Sequence, residues 1–171
     1  MLSPNPGIPL DNRLLCALPR DRMDLLMPHL TTKQLPQGQV LLEAGEEFDH
    51  VYFPHSGMLS LLTVLRDGKA IEVATVGREG VVGATAGLGL YKSSVRVVVQ
   101  LSTSVTRIAA TQFRKTVDHS DAVRDLCLRY NEVLLMQPAL PLHATPCIPS
   151  KPDFAAGCCS PPTARKAPRW S

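Results

Sequence analysis

The stretch Met58-Leu59-Ser60-Leu61-Leu62-Thr63-Val64-Leu65-Arg66-Asp67-Gly68-Lys69-Ala70-Ile71-Glu72-Val73-Ala74-Thr75-Val76 decides the fold. Two runs rich in apolar and β-branched residues flank the polar tetrapeptide Arg66-Asp67-Gly68-Lys69. Asp-Gly between such runs is a hairpin signal, and the spacing predicts a type I′ turn in which both central residues take positive φ.

The same pattern repeats outward in both directions. Glycines recur at 38, 45, 57, 68 and 77, and short strand-like segments lie between and beyond them, over 40–43, 50–54, 58–65, 70–76, 95–101 and 105–108. Many short strands with regular turn signals predict an all-β roll or sandwich. Gly77, Gly80, Gly83, Gly87 and Gly89 then crowd one segment, interrupted by Ala84-Thr85-Ala86, which reads as a glycine-rich loop with one helical turn.

Helical spacing brackets this β region. Asn12 can cap a short helix over 13–18, which Pro19 ends, and Met23, Leu26 and Met27 suggest a second helix over 20–28. A short helix is expected over 110–117, and Ser120 can cap a longer one over 121–137. On that last helix Val123, Leu126, Cys127, Tyr130, Leu134 and Met136 form a broad apolar stripe, with Arg124, Asp125, Arg129 and Glu132 on the polar side. Two readings stand: the stripe packs on its own roll, or one edge of it also pairs with a partner subunit through Val123, Leu126, Cys127, Tyr130 and Leu134.

The chain has 171 residues, enough for one domain with a substantial core, and a formal charge of +3. No Lys/Arg cluster is dense enough to track phosphates, and no run of apolar residues is long enough for a membrane span. No signal-peptide pattern opens the sequence, so a cytoplasmic protein is expected. The cysteines, Cys16, Cys127, Cys147, Cys158 and Cys159, are odd in number and irregularly spaced, which does not read as a disulfide framework.

Residues 35–46 read Leu35-Pro36-Gln37-Gly38-Gln39-Val40-Leu41-Leu42-Glu43-Ala44-Gly45-Glu46. Asp49-His50-Val51-Tyr52-Phe53-Pro54-His55-Ser56-Gly57 follows, then the Asp67-Gly68 hairpin, Glu72-Val73-Ala74-Thr75-Val76-Gly77 and Arg78-Glu79-Gly80-Val81-Val82-Gly83. This ordered set resembles the sensory domain of the Crp/Fnr transcription regulators over about three quarters of the chain. The resemblance implies a mainly β fold with flanking helices: a double-stranded β-roll, jelly-roll-like and similar to cyclic nucleotide-binding domains, followed by a long C-terminal helix. It further implies a small effector in the roll, a dimerising helix and a helix-turn-helix domain after it.

In the cyclic nucleotide binders of this family, a cassette between two strands cradles the cyclic phosphate on backbone N–H groups. An Arg offers its fork to the phosphate, a Glu takes the ribose 2′-OH and a Ser or Thr adds a hydroxyl. The cassette maps here onto residues 82–95. Ala84 stands at the Glu position, Lys92 at the Arg position, and Ser93 keeps the hydroxyl. The ribose carboxylate is thus missing and a point charge replaces the fork. A shifted alignment would recruit Glu79 or Arg96, but neither then keeps its neighbours. The candidate effector-binding residues are Glu72, Val82, Gly83, Ala84, Lys92, Ser93 and Ser94, with a cyclic nucleotide or another small anionic effector as the ligand.

Other constellations are thinner. Gly77-x-x-Gly80-x-x-Gly83 lacks the start of a dinucleotide fingerprint and no long helix follows. His50 and His55 flank a strand and read as partly exposed strand-end residues. His143, Cys147, Cys158 and Cys159 offer no paired metal-ligand spacing, so no metal is expected. Cys16 stands alone, where the family's iron–sulfur members need an N-terminal cluster. No nucleophile–base arrangement is visible, and no enzyme is expected.

Residues 1–11 read as a loose arm, residues 12–137 as the sensory domain with its dimerisation-type helix over 121–137, and residues 138–171 as a disordered tail. The tail carries eight of the fifteen prolines. Pro138, Pro141, Pro146, Pro149 and Pro152 exclude a continuous helix where the family's long helix should continue. Permissible codons for Thr145 to Ser160, read one nucleotide out of frame, can encode an amphipathic helix. An out-of-frame tail is therefore expected, with a natural short form as the alternative. Two functional readings follow. One is the sensory and dimerisation module of a Crp/Fnr-like regulator, homodimeric or heterodimeric, without sequence-specific DNA binding of its own. The other is a stand-alone ligand-binding module acting through a full-length partner.

Overall fold

The computed structural model describes residues 11–137. The expected arm, except Asp11, and the expected tail, with His143 and three of the cysteines, lie outside the described residues, and so does the frameshift expectation.

Among the described residues, seven strands form two antiparallel sheets. The strands are β1 (Thr31–Leu35), β2 (Val40–Leu42), β3 (His50–Pro54), β4 (Met58–Val64), β5 (Ala70–Val76), β6 (Arg96–Leu101) and β7 (Thr103–Ala109). One sheet has the order β1-β7-β3 and the other β2-β6-β4-β5. Four α-helices among the described residues flank them: α1 (Arg13–Cys16), α2 (Arg20–Leu26), α3 (Ala110–Asp118) and α4 (Asp121–Met136). This is the mainly β roll with flanking helices and a long C-terminal helix that the sequence predicts.

Alternation along the strands builds two cores. Leu35, Leu59, Val76, Val97, Val99 and Val105 meet between the sheets. On β7 the residues of opposite parity, Thr106 and Ile108, turn the other way, and Ile108 joins Val51 and Phe53 of β3 beneath the helices. There they meet Leu15, Leu26, Phe113, Val117, Val123 and Cys127. Phe53 and Phe113 pack edge to face, 6.1 Å between ring centres.

Asn12 ties the first helix to this body and is fully buried. Its Oδ1 accepts from the Leu15 N–H at 3.0 Å, capping α1 as predicted, while Nδ2 donates to the carbonyls of Pro54 at 2.9 Å and Gly80 at 2.8 Å. Ser120 caps α4 in the same manner, accepting from the Val123 N–H.

Four expectations are corrected. The second helix is α-helical only to Leu26, and Met27–His29 continues as a 3₁₀ turn around Pro28. β1 was not foreseen. Its residues are exposed except Leu35, so no alternation marks it. The hairpin exists, but not as a type I′ turn. The Gly68 N–H donates to the Leu65 carbonyl, so Arg66 and Asp67 are the central pair and Gly68 follows at φ 83°. This is a three-residue connection, and the Asp67 carboxylate stabilises it by accepting from the Lys69 N–H at 3.1 Å. Finally, His55 is buried rather than partly exposed. Its Nε2 lies 2.7 Å from the Thr106 hydroxyl, and among the described residues its Nδ1 has no partner.

Candidate functional site

The segment between β5 and β6 is held at both ends by backbone pairing. Val82 exchanges two hydrogen bonds with Tyr52 of β3, each 2.9 Å. Gly83 then turns the chain at φ 87° into a 3₁₀ turn, Ala84–Leu88, which Gly89 closes at φ 92°. A side chain at Gly83 would also press on the Phe48 ring at 3.0 Å, so both backbone sign and space select glycine. Farther along, the Phe48 N–H donates to the Tyr91 carbonyl at 2.9 Å. The Ser93 N–H donates to Glu46 at 2.9 Å, and the Gly45 N–H to Ser93 at 2.7 Å. Lys92 is thereby fixed in a short ladder against residues 45–48.

These pieces enclose a cavity of about 250 Å³. The roll contributes Leu61, Ala74 and Val97, and the cassette contributes Val82, Gly83, Ala84 and Lys92–Val95, grouped as residues 82–84 and 92–95. α4 closes it with Tyr130, Asn131, Leu134 and Leu135. Tyr130 also grips the cassette from above. A Cβ on Gly80 would fall against its hydroxyl, and would sit 2.7 Å from its Cζ. The Val81 N–H donates to the Tyr130 oxygen, and burial nevertheless pushes the phenol up to about 12. Burial likewise pushes the Cys127 thiol up to about 12, so it stays protonated in the core.

Six of the seven candidate effector residues line this cavity: Val82, Gly83, Ala84, Lys92, Ser93 and Ser94. Glu72 does not. Simple alternation puts Glu72 on the same face as Ala74 and Val76. The β4–β5 register, however, runs from Leu61↔Ala74 to Leu62↔Glu72 and skips Val73. This bulge turns both Val73 and Ala74 to the cavity and leaves Glu72 in a row with Leu62 and Arg96. Neither alternative from a shifted alignment reaches the cavity. Arg96 pairs with Glu43 at 2.7 Å, and the Glu79 carboxylate accepts from the Gly77 N–H at 3.0 Å.

Ser93 is buried, and its hydroxyl is already engaged. It donates to the Val95 carbonyl at 2.7 Å and accepts from the Val95 N–H at 3.2 Å. Lys92 is exposed at the rim, and among the described residues its ammonium joins none of the ion pairs. A second cavity, about 300 Å³, lies across the wall formed by Phe48, Val82 and Val97. It is lined by Glu46, Glu47, Asp49 and His50, which gives it the opposite charge character.

The five residues expected on a dimer face of α4 divide. Val123, Cys127 and Tyr130 are buried in the chain's own core and Leu134 packs against both cores, while Leu126 is half-buried. The exposed apolar residues on this helix are Leu128, Val133, Leu135 and Met136, the last two about 70% exposed (72% and 68%). Sequence reasoning missed Asn131 and Leu135 as cavity residues because only the docking of α4 over the roll brings them there. Among the described residues no group of three or more His, Cys, Asp or Glu side chains gathers as a metal site, and no helix is long and apolar enough to cross a membrane.

Comparison with solved structures shows the same fold. The regulatory subunit of a cAMP-independent protein kinase A from Trypanosoma brucei superposes with a TM-score of 0.61 at 19% identity, over 71% of this chain and 43% of that one. The catabolite activator protein of Thermus thermophilus gives 0.61 at 18% identity, over 74% of this chain and 60% of that one. The N-terminal domain of a transcriptional regulator from Streptomyces coelicolor A3(2) gives 0.57 at 16% identity, over 81% of this chain and all (100%) of that one. The chain spans 43% of the length of the Trypanosoma subunit, less than half. A search of curated proteins finds no match. The family model of the cyclic nucleotide-binding domain matches residues 32–120, which run from β1 through α3 and include the cassette between β5 and β6, so the chain belongs to that family.

Proposed function

We propose that residues 12–137 are the sensory and dimerisation module of a Crp/Fnr-like transcription regulator, which binds a small anionic effector in the cavity between the cassette and α4. The observation that carries this reading is the shared wall. Tyr130, Asn131, Leu134 and Leu135 of α4 face the same cavity as Lys92 and Ala84, so a ligand there contacts the helix directly. A ligand with different affinity for two positions of that helix shifts the balance between them. The catabolite activator protein and the Streptomyces regulator domain share the fold, which supports a role in transcription.

The same helix supports pairing. Leu128, Val133, Leu135 and Met136 leave an apolar edge in solvent after the inner face has been buried. Sedimentation of the full chain at concentrations up to about 0.1 mM tests this. Self-association that Leu135→Asp disperses is the expected result, and a monomer throughout that range overturns the dimerisation half. The same edge fits the second reading, in which the module docks on a full-length relative. Co-purification with a related regulator, lost in Leu135→Asp, distinguishes that case.

A further inference from the structure

We infer that the effector is an organic monocarboxylate with an apolar body, such as a short fatty acid or an arylacetic acid, and that the cavity discriminates against ribose-bearing cyclic nucleotides. This rests on the reading of the cavity as the effector site.

Charge sets the first limit. Of the residues that line the cavity, Lys92 alone is charged at neutral pH, and the Tyr130 phenol stays neutral. One ammonium that joins no ion pair among the described residues balances one negative charge. A second negative charge would stay uncompensated between largely apolar walls. The neighbouring cavity, with Glu46, Glu47 and Asp49, repels the same ligand.

Hydrogen bonding sets the second. A cyclic nucleotide brings a ribose hydroxyl and a purine edge that must find partners when desolvated. No carboxylate lines the cavity to accept the hydroxyl, since Ala84 occupies one candidate position and the bulge at Val73 leaves Glu72 off the lining. Neither of the two most buried hydroxyls offers a ready acceptor for it: Ser93 is closed on the Val95 backbone, and the Tyr130 oxygen already receives the Val81 N–H and keeps only its O–H to donate. An apolar body asks for none of these partners and is matched by Leu61, Val73, Val97 and Leu134.

Calorimetric titration of the full chain tests this with three kinds of probe: phenylacetate and hexanoate, their neutral amides, and cyclic AMP. The expected result is that at least one acid binds about tenfold or more tightly than its amide and than cyclic AMP. Lys92→Gln is expected to bring that acid down to the affinity of its amide while leaving the melting temperature unchanged, because Lys92 is exposed. Acids that bind no better than their amides overturn the inference. Tighter binding of cyclic AMP also overturns it but leaves the cavity as the effector site. No heat from any probe overturns both.

Discussion

Gln137 and Thr75 pair as two strands would. The Thr75 N–H donates to Gln137 Oε1 at 3.0 Å, and Gln137 Nε2 donates to the Thr75 carbonyl at 3.2 Å. β5 is an edge strand among the described residues, which place no neighbouring strand against these backbone groups. The carboxamide takes that place and fastens the end of α4 to the cavity wall. Gln137→Ala is expected to lower stability by about 1 kcal/mol and to speed hydrogen exchange at the Thr75 amide. An unchanged exchange rate at Thr75 would show that the pairing does not hold the helix.

Gly80 and Tyr130 are coupled by contact. Gly80→Ala drives a methyl group into the phenol and is expected to cost roughly 1–3 kcal/mol. The nearest obstruction is the hydroxyl, so the same substitution in a Tyr130→Phe background is expected to cost less, although Phe alone strands the Val81 N–H. Urea denaturation of the two single variants and the double variant gives the coupling directly, and additive effects would refute it.

Asn12 performs two separable tasks. Asn12→Ala removes the α1 cap and strips donors from the Pro54 and Gly80 carbonyls, an expected loss of about 2–4 kcal/mol. Asn12→Asp keeps an acceptor for the Leu15 N–H but sets a carboxylate against two carbonyl oxygens. It is expected to be no more stable than the Ala variant, as thermal melts will show. An Asp variant as stable as wild type would mean that the cap alone matters.

Acid should weaken the fold through His55. Burial, opposed only by the nearby Asp11, holds its imidazole below the ordinary 6.5, and its Nδ1 lies buried without a partner among the described residues. The unfolded chain therefore takes up the proton first. Stability is complete above about pH 6.5 and falls as pH drops from there toward the folded-state value. His50, lowered by burial and by Arg107, contributes in the same direction. Chemical denaturation between about pH 5 and pH 8 should show this slope, and His55→Gln should flatten part of it. An identical slope in that variant would assign the effect elsewhere.

Much of this architecture is legible in the sequence because it is local. Strands β3 and β5 fall on the predicted residues, and Asn12 and Ser120 cap the helices they announce. Ala84 and Lys92, picked out from the sequence, both line the cavity. What escaped is set by tertiary contact or by register. β1 is an edge strand whose outward residues carry no periodic signal. The Asp67 side chain selects a different turn from the one its dipeptide suggests. His55 meets its partner only in the paired sheet, where β7 sets Thr106 opposite Phe53 and within reach of the imidazole, and Tyr130 and Asn131 join the cavity only once α4 is laid across the roll.

The bulge at Val73 reaches beyond packing. It gives the cavity two consecutive residues of one strand, Val73 and Ala74, where plain alternation would give one. Deleting the Val73 codon would make the β4–β5 ladder continuous, keep Glu72 opposite Leu62, and enlarge the cavity by one valine side chain without altering any cassette residue. In this fold, cavity size can therefore change by an indel in a strand as readily as by substitution in the binding loop.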